Sequence, residues 1–221
     1  MKVFGFPVSP FVRKVHLAAA EKGLEIETVQ FDSRNPPAEF LTASPFRKIP
    51  ALQDGDFTLA DSTGIVTYLE AQHPAPALLP ADPRARGKAI WFEEFADTIL
   101  TPAGGKIVFN RFVGPKLMGV PGDEEAALQG ERDIAPILDW LNGAVPAKGW
   151  LAGEAFSVGD IAVASVLRTM GYVGMAPDAA KHPATAAWYG RVTARPAWLA
   201  VAERETGILA NLAGNRPAPA A

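Results

Sequence analysis

Four prolines, at 74, 76, 80 and 83, fall within one short stretch that carries almost no charge. Proline cannot donate to a helix or strand ladder, and it disfavours helical backbone at the residue before it, so no regular element can run through this stretch. Residues 74–83 are therefore the linker, and they split the 221-residue chain into two segments of different character. Residues 1–73 mix strand-like and helix-like runs, whereas residues 84–214 carry helical periodicity alone. The expected architecture is an α/β unit with a mixed four-stranded sheet, followed by an all-α unit.

In the first unit, a short β-like run at Lys2–Phe6 precedes a helix over Pro10–Lys22, bracketed by Ser9 at the N-cap, Pro10 at N1 and Gly23 just past the end. Ile26–Phe31 reads as a second strand, parallel to the first because a helix separates them. A short helical turn over Ala38–Ala43 follows, then strands at Ala51–Gln53 and Phe57–Ala60 joined by the turn signal Asp54-Gly55 as an antiparallel hairpin. A helix starting at Asp61 or Ser62 ends near His73-Pro74.

In the second unit, helices are expected over Ala85–Thr98, Asp123–Leu141, Val158–Tyr172, Thr185–Thr193 and Trp198–Leu212. The glycines around Gly104-Gly105, Gly114-Pro115 and Gly119 to Gly122 read as a loop. Residues 215–221, a Pro/Ala tail, are expected to be disordered. Phe156-Ser157-Val158-Gly159-Asp160-Ile161 carries a capping box, Ser157 with Asp160, inside a hydrophobic staple of Phe156 and Ile161. That segment is a folding device.

Composition narrows the chemistry. A net charge of -3, without a block of like charges, lacks the footprint of a nucleic-acid binder. The chain has 0 cysteines, which excludes disulfides, thiolate metal sites and a thiol nucleophile of its own; any thiol must arrive on a ligand. Met1–Val8 does not read as a signal peptide, and no apolar run approaches the roughly 18 residues of a membrane span, so a soluble cytoplasmic protein is expected. Nucleotide-binding glycine motifs, the nucleophile elbow and zinc-protease signatures are absent. His16, His73 and His182 lie in different elements, and helix caps or plain surface are expected for them, with no metal.

What remains is a set of polar groups at element junctions of the first unit: Ser9 at one helix start, Lys48-Ile49-Pro50 before a strand, and Asp61-Ser62 at another helix start. Taken singly, each is an ordinary cap, surface charge or strand starter. Together, two helix N-termini and a lysine suit a peptide-like anion.

The order of these residues resembles the glutathione transferase superfamily. The resemblance rests on Ser9-Pro10-Phe11-Val12-Arg13-Lys14-Val15, Ser44-Pro45-Phe46-Arg47-Lys48-Ile49-Pro50-Ala51-Leu52, Asp54-Gly55, Asp61-Ser62 and the Phe156–Ile161 segment, and it covers nearly the whole chain. It implies a thioredoxin-like N-terminal domain and an all-helical C-terminal domain. It also implies that Ser9 donates to the glutathione sulfur, and that a cis Pro50 leaves the Ile49 backbone to pair with the cysteinyl part. Lys48, with Arg47 as the alternative, would hold the glycine carboxylate, while Asp61 and Ser62 hold the γ-glutamyl amine and carboxylate. Asp61 stands where glutamate is more usual, and Ser9 followed by Pro10 resembles branches with cysteine in that place; serine cannot form a mixed disulfide.

The energetics suit this role. A free thiol of pKa about 8.5 is only about 3% thiolate at neutral pH, and lowering it by about two units takes about 2.7 kcal/mol. One hydrogen bond to a charged sulfur plus a helix N-terminus is of that size. The thiolate would then attack an electrophile in an apolar pocket, for which Phe11, Trp91, Phe95, Phe109, Phe112 and Met118 are candidates, with no more than half expected to face it. The resemblance further implies a homodimer in which Asp97 reaches the partner's γ-glutamyl amine. The expected function is detoxifying conjugation of glutathione to small hydrophobic electrophiles. The alternatives are a glutathione-dependent isomerase or dehalogenase, and a non-catalytic binding module.

Overall fold

Strand β1 (Lys2–Phe4) occupies the middle of a four-stranded sheet of order β2-β1-β3-β4 in the computed structural model, which describes residues 1–214, of which 208 and 210–214 by backbone alone. It pairs in parallel with β2 (Glu27–Val29) and antiparallel with β3 (Ala51–Asp54), which forms the hairpin with β4 (Phe57–Ala60). Both outer strands follow from the connections: a helical crossover permits only the parallel partner, and the two-residue turn with Gly55 at φ 62° only the antiparallel one. β1 is shorter than Lys2–Phe6 because Gly5 turns to φ 151°. The residues expected to be disordered, 215–221, lie outside the described residues.

Helix α1 (Pro10–Glu21) is buried on two sides, against the sheet unit through α3 (Ser62–Gln72) and against the helical unit. Its Val12, Val15, Leu17, Ala18 and Ala19 are all in the core. His16 on the same helix is buried too, not at the surface as expected, and its Nε2 lies 3.1 Å from the Thr28 hydroxyl on β2. Burial pushes its pKa down to about 4, so it packs as a neutral ring. α2 (Ala38–Ala43) closes a small second cluster of Phe4, Phe40, Ala43 and Ala51.

The helical unit begins at Pro83, the last linker proline, which serves as first residue of α4 (Pro83–Phe95) with Asp82 as its cap. From there the chain stays helical to Met118. Wider π turns at Ala96–Leu100 and Phe109–Met118 flank α5 (Thr101–Val108). The glycines read as a loop at 104 and 105 are therefore helical, and the reason is packing: a Cβ on Gly104 would lie 2.9 Å from the Met170 sulfur. The loop expected there is confined to residues beyond Gly119, whose φ of 68° ends the helix.

α7 (Val158–Met170) is the axis of this unit, with α6 (Glu124–Ala144), α8 (Pro183–Thr193) and α9 (Pro196–Gly214) around it. Of its residues only Arg168 is not buried. Asp160 accepts from the Ser157 amide at 3.1 Å, which makes the expected return bond of the capping box. It also takes the Ser157 hydroxyl at 3.1 Å, the Leu151 amide at 2.9 Å and Trp188 Nε1 at 2.9 Å. One carboxylate thus ties three segments together. Among the described residues no helix is long and apolar enough to cross a membrane.

Candidate active site

Two cavities meet where α1 leaves the sheet. One is a groove of about 790 Å³ across the first unit, bordered by Lys48, Ile49, Asp61, Ser62 and Asp97. The other, about 470 Å³, lies between the units and is walled mainly by apolar residues, among them Val108, Phe109, Val113, Met118 and Met170. Phe11 and Ile49 border both, so they form the threshold between them. Ser9 is on the apolar side of that threshold.

Ser9 holds the N-cap position expected of it, with extended backbone (φ -68°, ψ 131°), yet its side chain caps nothing. Among the described residues the hydroxyl has no hydrogen-bond partner. Pro10 has no N–H to offer, and the first-turn amides behind it leave positive potential at this end of α1.

The loop before β3 is fixed by Ser44, whose hydroxyl donates to the Lys48 carbonyl at 2.7 Å and accepts from the Lys48 amide at 2.9 Å. Pro50 is cis, as the resemblance implied, and Ile49 faces the groove. Arg47 has φ 56° and is exposed outside the groove lining, whereas Lys48 borders it.

At the start of α3, Asp61 Oδ1 accepts from the Thr63 and Gly64 amides at 2.8 and 3.2 Å. Its other oxygen has no partner among the described residues, and the residue is held at φ 80°. The Ser62 hydroxyl has no partner among the described residues.

Beneath this end of the groove, the buried Lys14 ammonium donates to Asp97 Oδ2 at 2.7 Å and to Glu93 Oε1. Thr63 Oγ1 donates to the same Glu93 oxygen, and Glu93 Oε2 is buried without a partner among the described residues. Burial lifts the Asp97 pKa to about 6 despite Lys14, with Glu93 and Asp61 adding to the rise. Asp97 thus borders its own chain's groove.

Of the six aromatic and methionine candidates, Phe11, Phe109 and Met118 line the apolar cavity. Trp91 and Phe95 do not; with Ile99, Pro136, Ile137 and Trp140 they form a separate shallow groove of about 290 Å³. Phe112 is also absent from the lining and stacks on Tyr172 with ring centroids 5.1 Å apart. Sequence reasoning missed Thr101, Gly105 and Thr169 in the wall, and the Lys14–Glu93 pair. Its one available signal was Arg13-Lys14, two basic residues flanked by Val12 and Val15 in a helix that needs apolar faces.

Residues 3–77 match the family model of the glutathione S-transferase N-terminal domain, and residues 98–196 that of the glutathione S-transferase C-terminal domain. The chain belongs to the glutathione S-transferase family. Relatives include Glutathione S-transferase 3 of Zea mays, 31% identical over 90% of this chain and 91% of that one. Glutathione S-transferase of Hyoscyamus muticus is 27% identical over 90% and 95% respectively. Among solved structures, a glutathione S-transferase from Rhodospirillum rubrum superposes with a TM-score of 0.82 at 26% identity, covering 90% of each chain. The apo form of a glutathione S-transferase III covers 99% of both chains at 29% identity and TM-score 0.78. A family transferase therefore has its polar groove and its apolar cavity side by side here, sharing Phe11 and Ile49.

Proposed function

We propose that this transferase conjugates glutathione to small hydrophobic electrophiles, with Ser9 stabilising the glutathione thiolate. The observation that carries the reading is the uncapped Ser9 hydroxyl beside the threshold between a polar groove and an apolar cavity. The tripeptide lies in the groove, with its glycine carboxylate toward Lys48, its cysteinyl backbone along Ile49, and its γ-glutamyl end at Asp61, Ser62 and the α3 N-terminus. The thiol then points across Phe11 toward Ser9. The serine hydroxyl donates to the sulfur anion, and the thiol proton leaves to solvent. In the second cavity a sulfur lone pair forms the new C–S bond while the leaving group departs with its electron pair. Proximity in a largely dry pocket supplies much of the remaining rate.

Isothermal titration with glutathione tests this, together with turnover of an aromatic halide. Ser9→Ala is expected to bind within about twofold of the parent but to turn over about 30-fold more slowly at neutral pH, the ratio of majority thiolate to about 3%. Lys48→Ala is expected to weaken binding about fivefold, as loss of one partly solvated charged hydrogen bond. No binding of glutathione at millimolar concentration would overturn the assignments together and leave a non-catalytic scaffold.

The enzyme is also proposed to work as a cytoplasmic homodimer. Two exposed apolar features support this: Phe46, 86% exposed on the first unit, and the Trp91–Trp140 groove on the helical unit. Seating one in the other between two copies buries both twice in an isologous pair. Sedimentation equilibrium of Phe46→Ser is expected to show a shift toward monomer; an unchanged dimer would place the interface elsewhere.

A further inference from the structure

The reaction described above leaves unused the most elaborately bonded charge in the molecule, the guanidinium of Arg13. It is buried, and each of its five N–H groups has an acceptor. Nε donates to Glu205 Oε2 at 2.6 Å. Nη1 donates to the Ser165 carbonyl at 2.7 Å and to Thr169 Oγ1 at 2.8 Å. Nη2 donates to the Val8 carbonyl at 3.2 Å and to the Tyr172 hydroxyl at 2.9 Å.

These partners are not random. The Val8 carbonyl belongs to the peptide bond whose nitrogen is that of Ser9. Thr169 Oγ1 lies 3.2 Å from that same carbonyl and also borders the apolar cavity. Tyr172 stacks on Phe112, in the helical stretch whose Phe109 and Met118 wall the cavity. On the far side, Glu205 of α9 is held by Arg168 at 3.2 Å as well as by Arg13. Ser9 makes no side-chain cap bond, so nothing local orients it. Its backbone is oriented instead by its amide bond to the Phe6 carbonyl, at 2.9 Å, and by the grip on the Val8 carbonyl.

We infer that Arg13, with Thr169, Tyr172 and Glu205, is a positioning centre for Ser9. It fixes the Val8–Ser9 peptide plane from the helical unit and so sets the distance from the serine hydroxyl to the sulfur. The inference rests on the Ser9 reading above. Misplacement by a fraction of an ångström is enough to weaken a short charged hydrogen bond.

Removing Arg13 itself would leave the buried Glu205 with Arg168 alone, so the test uses the periphery of the centre, Thr169→Val and Tyr172→Phe, each close in volume to the parent. The readout is ultraviolet titration of the thiolate of bound glutathione without any electrophile, which a change in the cavity wall does not affect. Each variant is expected to raise the apparent thiol pKa by about half a unit, giving about threefold less thiolate below that pKa. Affinity for S-methylglutathione is expected to stay within twofold. In Ser9→Ala the pKa rises fully, and adding Thr169→Val to it is expected to change nothing more, because the effect travels through Ser9. Parent-like thiol pKa values in both single variants, or a further rise in the double variant, would overturn the positioning role while leaving Ser9 in place. A parent whose thiol pKa does not depend on Ser9 overturns the Ser9 reading first and this inference with it.

Discussion

Helices α3 and α7 each have an aspartate at their start that accepts backbone amides, Asp61 as the N-cap of one and Asp160 as the third residue of the other, yet the two are committed very differently. Asp61 is exposed, spends one oxygen on the Thr63 and Gly64 amides, and borders the groove. Asp160 is 0% exposed and spends both oxygens, on Leu151, Trp188 and twice on Ser157. Both carboxylates accept backbone amides; what differs is whether any capacity is left over for a ligand. A buried carboxylate saturates because an unmet buried charge is costly, and saturation removes it from function. An exposed cap need not saturate, since water can hold the free oxygen until a ligand ammonium replaces it.

Replacing each aspartate by its isosteric amide tests that contrast most severely at position 160. In Asp160→Asn one oxygen becomes a donor facing donors, either Leu151 and Trp188 or the Ser157 amide. The expected cost is about 3 kcal/mol, against which removal of a buried charge is a partial offset. Thermal unfolding should then fall by roughly 6 to 12 °C for a chain of this size, with glutathione affinity of the folded protein unchanged. A loss below about 1 kcal/mol would mean that Asp160 is not the tie its bonds indicate.

Asp61→Asn is expected to invert the pattern. Its side-chain oxygen still caps Thr63 and Gly64, so the melting temperature should move by less than about 2 °C. The charge opposite the γ-glutamyl ammonium is lost, and titration should show about fivefold weaker glutathione binding. Equal losses of stability at the two positions, with no loss of affinity at 61, would erase the distinction between them.

This contrast also explains what could be read from residue order. Much of the first unit was legible: Phe57–Ala60 and the start of α1 are where turn and proline chemistry put them, because Asp54-Gly55 and Ser9-Pro10 act locally, whereas the strands expected over Lys2–Phe6 and Ile26–Phe31 are shorter, Lys2–Phe4 and Glu27–Val29. The Ser157–Asp160 box was legible for the same reason. Residues 101–118 were not, since glycine marks a flexible loop and a close helix contact with the same letter; only the Met170 sulfur against Gly104 distinguishes them. Trp91 and Phe95 carry the same helical spacing as a cavity wall but lie in a different groove, because periodicity marks an apolar face without saying what stands opposite. Arg47 and Lys48 are indistinguishable as neighbouring cations until the backbone at Arg47, φ 56°, sets them apart. That the Ser9 hydroxyl does not cap is likewise a matter of side-chain geometry beyond any residue pattern.

Between the two cases lies Asp97, which is half-committed. It accepts from the buried Lys14 at 2.7 Å and still borders the groove. Its carboxyl pKa is raised to about 6 by burial, with the Glu93 and Asp61 carboxylates adding and Lys14 opposing. The folded chain therefore holds this proton more tightly than the unfolded one, so the Asp97 contribution to stability falls as pH rises from about 4 to about 6, while His16, held neutral by burial, contributes an opposite rise over the same range. A ligand ammonium nearby has the opposite preference and favours the ionised form. If it lowers the pKa by about one unit, affinity should weaken about fivefold between pH 7.5 and pH 5. S-methylglutathione is the ligand to use, because it has no thiol to titrate in the same range, and His16, at about 4, stays neutral throughout. In Asp97→Asn this step should vanish, and stability should rise more steeply between pH 4 and 6 than in the parent, because the His16 contribution is no longer opposed. A step that survives the substitution would assign it to another carboxylate of the groove, and Asp97 would then be as fully spent on Lys14 as Asp160 is on its own donors.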